Sequence, residues 1–526
     1  MHRLVIAATT LLALVGAVVV VAYLFIFAAA SDKAASIAPA RSLAYVSLYL
    51  TPSTGQQMNL QHVLTKLPGF TDEATLGTNI DVLVQRLLGD AGVDYRADVK
   101  PWLGGEVAVA LVAEGSGQGA ATNGSLIIAA VRDEAAARAA IGRIVAKANG
   151  TTTSETYNGV AITVAKGSAG QAGSFAIVEG MLLAGSDQAT VHAAIDAAQG
   201  RASSLADSDA FRRATDSLPS DRLALAYLDI SGAATAGGQS ALASGYHGAA
   251  LALVARSDGL QVTGRAPFDA ASANASARAN FALGSEPAGL PDWMPASTHA
   301  ELVFFGARQT FDSVAAQLGS TPGGQQAQQT LDQLRALAAL GLGIDLDKDL
   351  LPLFDRETAV AIQDLTATEV HGQVLVRPSN GAAGADALKR ITDSLRGRGS
   401  AVSEQQLSGT TVTTIAVPQI GRVAWAAQDG VIVLGLTPDD VAAALAAHAS
   451  GATLSTTANY RSAFEVAGGR GGNEIYVDAA GAVPWLEGMI DLPSDARDIL
   501  THVGAAAIAI ATDQNQIEIH ATVTVH

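Results

Sequence analysis

One stretch of this chain occurs twice, and that repetition limits what it can fold into. Residues 92–111 read Gly-Val-Asp-Tyr-Arg-Ala-Asp-Val-Lys-Pro-Trp-Leu-Gly-Gly-Glu-Val-Ala-Val-Ala-Leu. They return 251 positions later as residues 343–362, Gly-Ile-Asp-Leu-Asp-Lys-Asp-Leu-Leu-Pro-Leu-Phe-Asp-Arg-Glu-Thr-Ala-Val-Ala-Ile. Asp94, Asp98 and Pro101 fall on Asp345, Asp349 and Pro352. Each copy is an aspartate-punctuated turn that stops at a proline and feeds an apolar run with strand character. Other landmarks follow the same order. Pro39 is answered by Pro295, Gly180 and Gly185 by Gly430 and Gly435, and Val191 by Val441. Phe211-Arg212 is answered by Tyr460-Arg461, and Tyr227-Leu-Asp229 by Tyr476-Val-Asp478, with the offset drifting only from 256 to 249. The pattern predicts an internal duplication: two homologous α+β domains, each an antiparallel-rich sheet with helices packed on one face.

Ahead of the repeats, Leu4 to Ala30 carries no charged residue. That exceeds the roughly 20 helical residues needed to cross about 30 Å of hydrocarbon. Arg3, with no acidic residue before it, predicts a cytoplasmic N-terminus with the bulk of the chain outside the membrane. A cleaved signal peptide ending near Ala28-Ala-Ala30 is the rival reading, although secretory apolar cores are usually shorter. The expected organisation is an anchor over 1–30, a stalk over 31–40, a first α+β repeat over 41–267, a linker over 268–294 and a second repeat over 295–526. Helices are expected at about 56–67, 73–88, 133–148 and from Asp187 onward.

At 526 residues the chain is long enough for two separate cores. Its formal charge is −17, and removing Arg3 with the anchor leaves 31 basic against 49 acidic side chains. A field of that sign repels phosphate backbones, so nucleic acid is not an expected partner. The absence of cysteine excludes disulfides, thiolate metal sites, cysteine nucleophiles and a lipidated N-terminal cysteine.

The candidate sites are few. Asp345, Asp347 and Asp349 occupy the first three acidic positions of a calcium loop, but Leu350 and Arg356 stand where an EF-hand needs glycine and glutamate. The repeated turn formed by Asp94, Asp98, Pro101 and Trp102 therefore has two readings. Its aspartates satisfy backbone donors in a proline-stiffened turn, in which case asparagine is a nearly neutral replacement, or they hold an ion weakly. Trp102 is either a plug beneath the turn or a platform at a cleft. Gly115-Ser-Gly-Gln-Gly-Ala120 formally fits a phosphate loop, yet a strand rather than a helix is expected after it, so no cofactor follows. The ten histidines never pair at i, i+2 or i, i+4, and no nucleophile elbow or Walker loop occurs.

The landmarks resemble a bacterial family known as domain of unknown function 3352. They are Pro39 with Ala44-Tyr45-Val46, then Gly92, Asp94, Asp98, Pro101 and Trp102. The resemblance implies a membrane-anchored, extracytoplasmic protein with no assigned activity, although the second copy departs from it with Leu353 in place of the tryptophan. The expected function is a non-catalytic binding or structural module of the cell envelope, partnered by an envelope protein or an apolar ligand. Two alternatives stand beside it: a carrier of a lipid or other apolar molecule, and an envelope hydrolase or transferase with scattered catalytic residues. No catalytic or cofactor-binding residue is singled out, and the oligomeric state is left open.

Overall fold

A computed structural model describes residues 32–68, 85, 93–113, 123–147, 150–166, 172–236, 245–272, 278, 282–318, 324–365, 370–417, 421–489, 494–512 and 515–526. The apolar run over 4–30, the glycine loop over 115–120 and all but Gln85 of the helix expected at 73–88 lie outside these residues. Among the described residues no helix is long and apolar enough to cross a membrane. The chain divides into two units, the first reaching Ser272 and the second running from Ala273 to Thr524.

The first unit is built on ten strands: β1 (Ser42–Tyr49), β2 (Leu103–Ala113), β3 (Asn123–Val131), β4 (Thr151–Tyr157), β5 (Val160–Lys166), β6 (Ala172–Val178), β7 (Met181–Gly185), β8 (Ala224–Asp229), β9 (Gly248–Arg256) and β10 (Gly259–Pro267). They pair antiparallel in the order β4-β5-β6-β7-β3-β2-β1-β8-β9-β10. The second unit contributes β11 (Ala300–Phe305), β12 (Glu357–Leu365), β13 (Val370–Arg377), β14 (Val402–Leu407), β15 (Thr410–Val417), β16 (Gly421–Gln428), β17 (Val431–Gly435), β18 (Asn473–Asp478), β19 (Val503–Thr512) and β20 (Gln516–Val525). These pair as β14-β15-β16-β17-β13-β12-β11-β18-β19-β20, the same order.

Local chemistry fixes the hairpins. Asn158-Gly159 and Ser408-Gly409 join β4 to β5 and β14 to β15, while Glu179-Gly180 and Asp429-Gly430 join β6 to β7 and β16 to β17. All eight residues have positive φ, between 47° and 81°. Two-residue turns of this hand match the right-handed twist of the flanking strands, and glycine adopts the second position without steric cost.

Alternation along the strands separates two faces. In β3, Leu126 and Ile128 join the main core with Val191, Ile195, Phe211 and Ala214 from the helices Gln188–Ala198 and Asp209–Thr215. Ala129 instead packs with Ala137 and Ala140 of the helix Glu134–Lys147 and with Trp102. The second unit repeats this. Val441, Leu445 and Tyr460 lie on one face, and Ala387 and Leu388 of the helix Gly381–Gly397 lie on the other with Val376 and Ile432. Helices thus pack on both faces of each sheet, not one as the element order suggested, although part of the first sheet's second face stays exposed. The reason is that strands such as β3 carry apolar residues at consecutive positions, so neither face is left polar.

Two boundaries also differ from the sequence reading. Residues 31–40 do not behave as a stalk: Ala34, Ala35, Ile37 and Ala38 are fully buried in the first core, and Pro39 bridges to Ser204. Nor is the whole of 268–294 a linker, because Leu290, Trp293 and Met294 are buried in the second core and Pro295 bridges to Thr453. In both units the turn ahead of the opening strand closes one end of the core. In the first unit Ala34, Ala35 and Ala38 permit close backbone approach, which in composition is indistinguishable from a spacer.

Candidate functional site

The repeated turn is one π-helical turn, Tyr95–Val99, held by Lys100 N–H donating to the Tyr95 carbonyl at 2.7 Å. Asp94 precedes it and accepts from Ala97 N–H at 2.9 Å, which satisfies a donor that the helix start leaves open. Asp98 reaches back to accept Asp94 N–H at 3.2 Å. Its carboxylate is 1% exposed and receives Arg143 Nε at 3.1 Å and Lys147 Nζ at 2.7 Å, both from the helix Glu134–Lys147. The Lys147 hydrogen bond, helped by the Asp94 amide and Arg143 and opposed by desolvation, holds the Asp98 carboxyl down to about 2. Asp98 is therefore more than a backbone acceptor: it fastens the turn to a helix with charge, and asparagine is not an equivalent replacement there. Pro101 ends the turn, and Arg132 donates to the Lys100 and Pro101 carbonyls. Trp102 is buried as a plug, its Nε1–H donating to the Asp98 carbonyl at 2.6 Å.

The second copy keeps the plan with weaker electrostatics. Asp345 accepts from Asp347 and Lys348 N–H, both at 3.1 Å, and Lys348 Nζ approaches it at 3.1 Å. That lysine lowers the Asp345 carboxyl, assisted by the backbone amides. Asp349 accepts Asp345 N–H at 3.0 Å, but its cation is Arg390, 3.5 Å away at a partly exposed site. Asp347 turns outward to Arg335, at 3.0 and 3.2 Å. The three candidate metal ligands thus point to three different cations. Among the described residues no group of three or more acidic or histidine side chains could hold a metal ion. Leu353 takes the place of Trp102 and is buried with Val376, Ala387 and Leu388.

Three further features escaped the sequence reading. Glu106 and Glu357, at the head of the repeated apolar run, are 2% and 1% exposed and point into the opening turns. Glu106 accepts Ala34 N–H with both oxygens at 3.2 Å, and Glu357 accepts Gly289 and Leu290 N–H at 2.7 and 2.8 Å with Arg377 also at 2.7 Å. A lone acid opening an apolar run, present in both copies, was the available signal. A second feature is confined to the second unit, where Glu301 and Glu474 converge on Tyr460 with exposures of 1%, 0% and 1%. Their positions in the first unit hold Tyr45, Leu225 and Phe211. The third is a row of aliphatic side chains on the first sheet's second face. In registered neighbours it runs Ile127, Val109, Val46, Ala226 and Leu251, with Leu111, Ala44 and Leu228 beside it. Val109, Leu111, Ile127, Leu228 and Leu251 are exposed.

No curated protein matches the chain. Among solved structures it is similar to TP0453 in crystal form III, at 10% identity and a TM-score of 0.25, with 46% of this chain and 82% of that one covered. Form IV of the same protein gives 10% identity, a TM-score of 0.24 and 44% and 79% coverage. Scores of this size carry no functional weight. The family described as "Protein of unknown function (DUF3352)" matches residues 4–526, essentially the whole sequence, and the chain belongs to that family.

Proposed function

We propose that this protein is a non-catalytic binding or structural module of the cell envelope, tethered through residues 4–30 and made by duplication of one α+β unit. The observation that carries the non-catalytic reading is that its polar clusters close on themselves. Asp94, Asp98, Asp345 and Asp349 each meet a donor of their own turn, and the convergent acids Glu301 and Glu474 sit where no substrate reaches them. Duplication is supported by the common strand order and by one inverted hydrogen bond. At the start of the helix Gln188–Ala198, Asp187 is the cap and Thr190 the donor to it at 2.8 Å. At the start of the helix Pro438–Ser450, Thr437 is the cap and Asp440 the acceptor at 2.7 Å.

The tether is tested on intact cells, where added protease should degrade the region beyond Ser31 while a tag placed before Met1 stays protected. Recovery of a mature protein beginning near Ser31 in the medium would refute it. A second reading, a carrier of an apolar ligand, is favoured by the exposed aliphatic row. Its test is titration of a fluorescent long-chain fatty acid into the full chain in nanodiscs. The carrier reading requires that Val109→Gln with Leu251→Gln weaken uptake at unchanged melting temperature, and equal uptake by both proteins rules it out.

A further inference from the structure

Glu301 (β11) and Glu474 (β18) lie on neighbouring strands and face the helix Ala458–Ala467, which supplies Tyr460. Glu474 is well provided for. Arg470 donates to it through Nε at 3.0 Å and Nη2 at 2.9 Å, Gly471 N–H at 3.1 Å and Tyr460 Oη at 2.8 Å. Glu301 has no such company. Its Oε1 lies 3.3 Å from Tyr460 Oη, and its Oε2 is buried without a partner. The remaining charged group near it is Glu357 on β12, already paired with Arg377 from β13, and Tyr476 on β18 is the other ionisable neighbour.

The proton inventory of this cluster decides its state. Tyr460 has one proton and gives it to Glu474 at the shorter distance, so its contact with Glu301 requires a proton from Glu301. Two ionised carboxylates around one phenol would leave a single guanidinium to balance both at a site closed to water. Glu474, with its fork and amide, is the ionised member, and Glu301 is the neutral one. Burial first, and then the Glu474 charge, raise the Glu301 carboxyl well above the ordinary range, in the same direction.

We infer that Glu301 is a proton-held latch that seats the helix Ala458–Ala467 on β11 and β18, and that alkaline pH opens it. Ionisation of Glu301 removes its hydrogen bond to Tyr460 and places two like charges beneath that helix. The first unit, with Tyr45, Leu225 and Phe211 in these positions, has no such latch. The folded-state carboxyl is raised above its unfolded value, so the latch is fully closed below the unfolded value near pH 4–5 and weakens as pH rises toward the folded value. One proton in the linkage limits the effect to about a tenfold rise in the opening constant per pH unit.

Hydrogen exchange of the full chain between pH 5 and 9, corrected for the intrinsic rate, reads this directly. Protection of peptides spanning 458–478 should fall with pH at a slope approaching tenfold per unit, while peptides spanning 209–229 stay level. Glu301→Gln keeps the shape and a donor to Tyr460 and should flatten the slope at 458–478. Glu474→Gln removes the neighbouring charge and brings the folded Glu301 carboxyl down toward its ordinary value, so the fall in protection should begin at the same pH and level off at a lower one. Level protection at 458–478 in the natural protein, or an unchanged slope in Glu301→Gln, overturns the inference. The first of these outcomes needs no variant to fold.

Discussion

Replacing Asp98 by asparagine tests whether the turn is fastened by charge or by backbone acceptance alone. The variant keeps an oxygen for Asp94 N–H but loses the charge that meets Lys147 at 2.7 Å and Arg143 at 3.1 Å. Lowering a carboxyl from its ordinary range to about 2 corresponds to roughly 2 kcal/mol at about 1.4 kcal/mol per pH unit. The heads of Lys147 and Arg143 are half exposed, and solvent screening reduces the expected loss to about 1–2 kcal/mol. Because the folded carboxyl is depressed, this contribution is present above about pH 4 and disappears as pH falls through about 2. Urea unfolding of the full chain, followed by hydrogen exchange in peptides spanning 123–147, gives the difference at pH 7 and again near pH 2. A double-mutant cycle with Lys147→Met should return a coupling of about 1 kcal/mol at pH 7. Coupling below about 0.3 kcal/mol, or a loss that does not change with pH, would show that the ion pairs contribute nothing and that the electrostatic reasoning is wrong. Asp349→Asn is the internal control: with one guanidinium at 3.5 Å it should cost less than about 0.5 kcal/mol.

Trp102→Ala should destabilise the first unit by about 3–5 kcal/mol and Leu353→Ala the second by about 2–5 kcal/mol, measured as a shift in urea midpoint. A loss below about 1 kcal/mol would mean that the plug packs loosely. The inverted cap gives a swap experiment in which Asp187→Thr and Thr190→Asp each cost about 1 kcal/mol, while the double variant recovers most of it. Additive losses in melting temperature would show that the two arrangements are not interchangeable. Millimolar calcium should leave the melting temperature unchanged, because Asp345, Asp347 and Asp349 face Lys348, Arg390 and Arg335 between them. A saturable rise that vanishes in Asp345→Asn would restore the ion-site reading.

What the sequence revealed was short-range. The backbone-accepting role of Asp94 and the helix start at Asp187 depend on residues close together in the chain, whereas the choice between plug and platform for Trp102 is decided by Ala129, Ala137, Ala140 and Leu182 farther along. The helix opened by Asp133 was legible for the same reason, and Asp133 Oδ1 does accept Ala136 N–H at 2.9 Å. What stayed hidden depends on pairing between distant strands. Glu301 and Glu474 are single acids in separate apolar runs, and only the registry of β11 against β18 brings them under one tyrosine. Glu106 was visible in both copies of the repeat, but nothing nearby in sequence shows that its partner is the amide of Ala34. The charge on Asp98 was underestimated because Arg143 and Lys147 belong to a helix 45 and 49 residues away.

The burial of Ala34, Ala35, Ile37 and Ala38 has a mechanical consequence. If residues 4–30 tether the chain as proposed, a pull on them passes through Asp32, which is paired with Arg222, and then through Ala34, whose amide is held by Glu106 on β2. There is no slack between that point and the sheet. Under that proposal, force would reach β2 and the loop ahead of β8 at once, entering the first unit at the middle of its sheet and not at an outer strand.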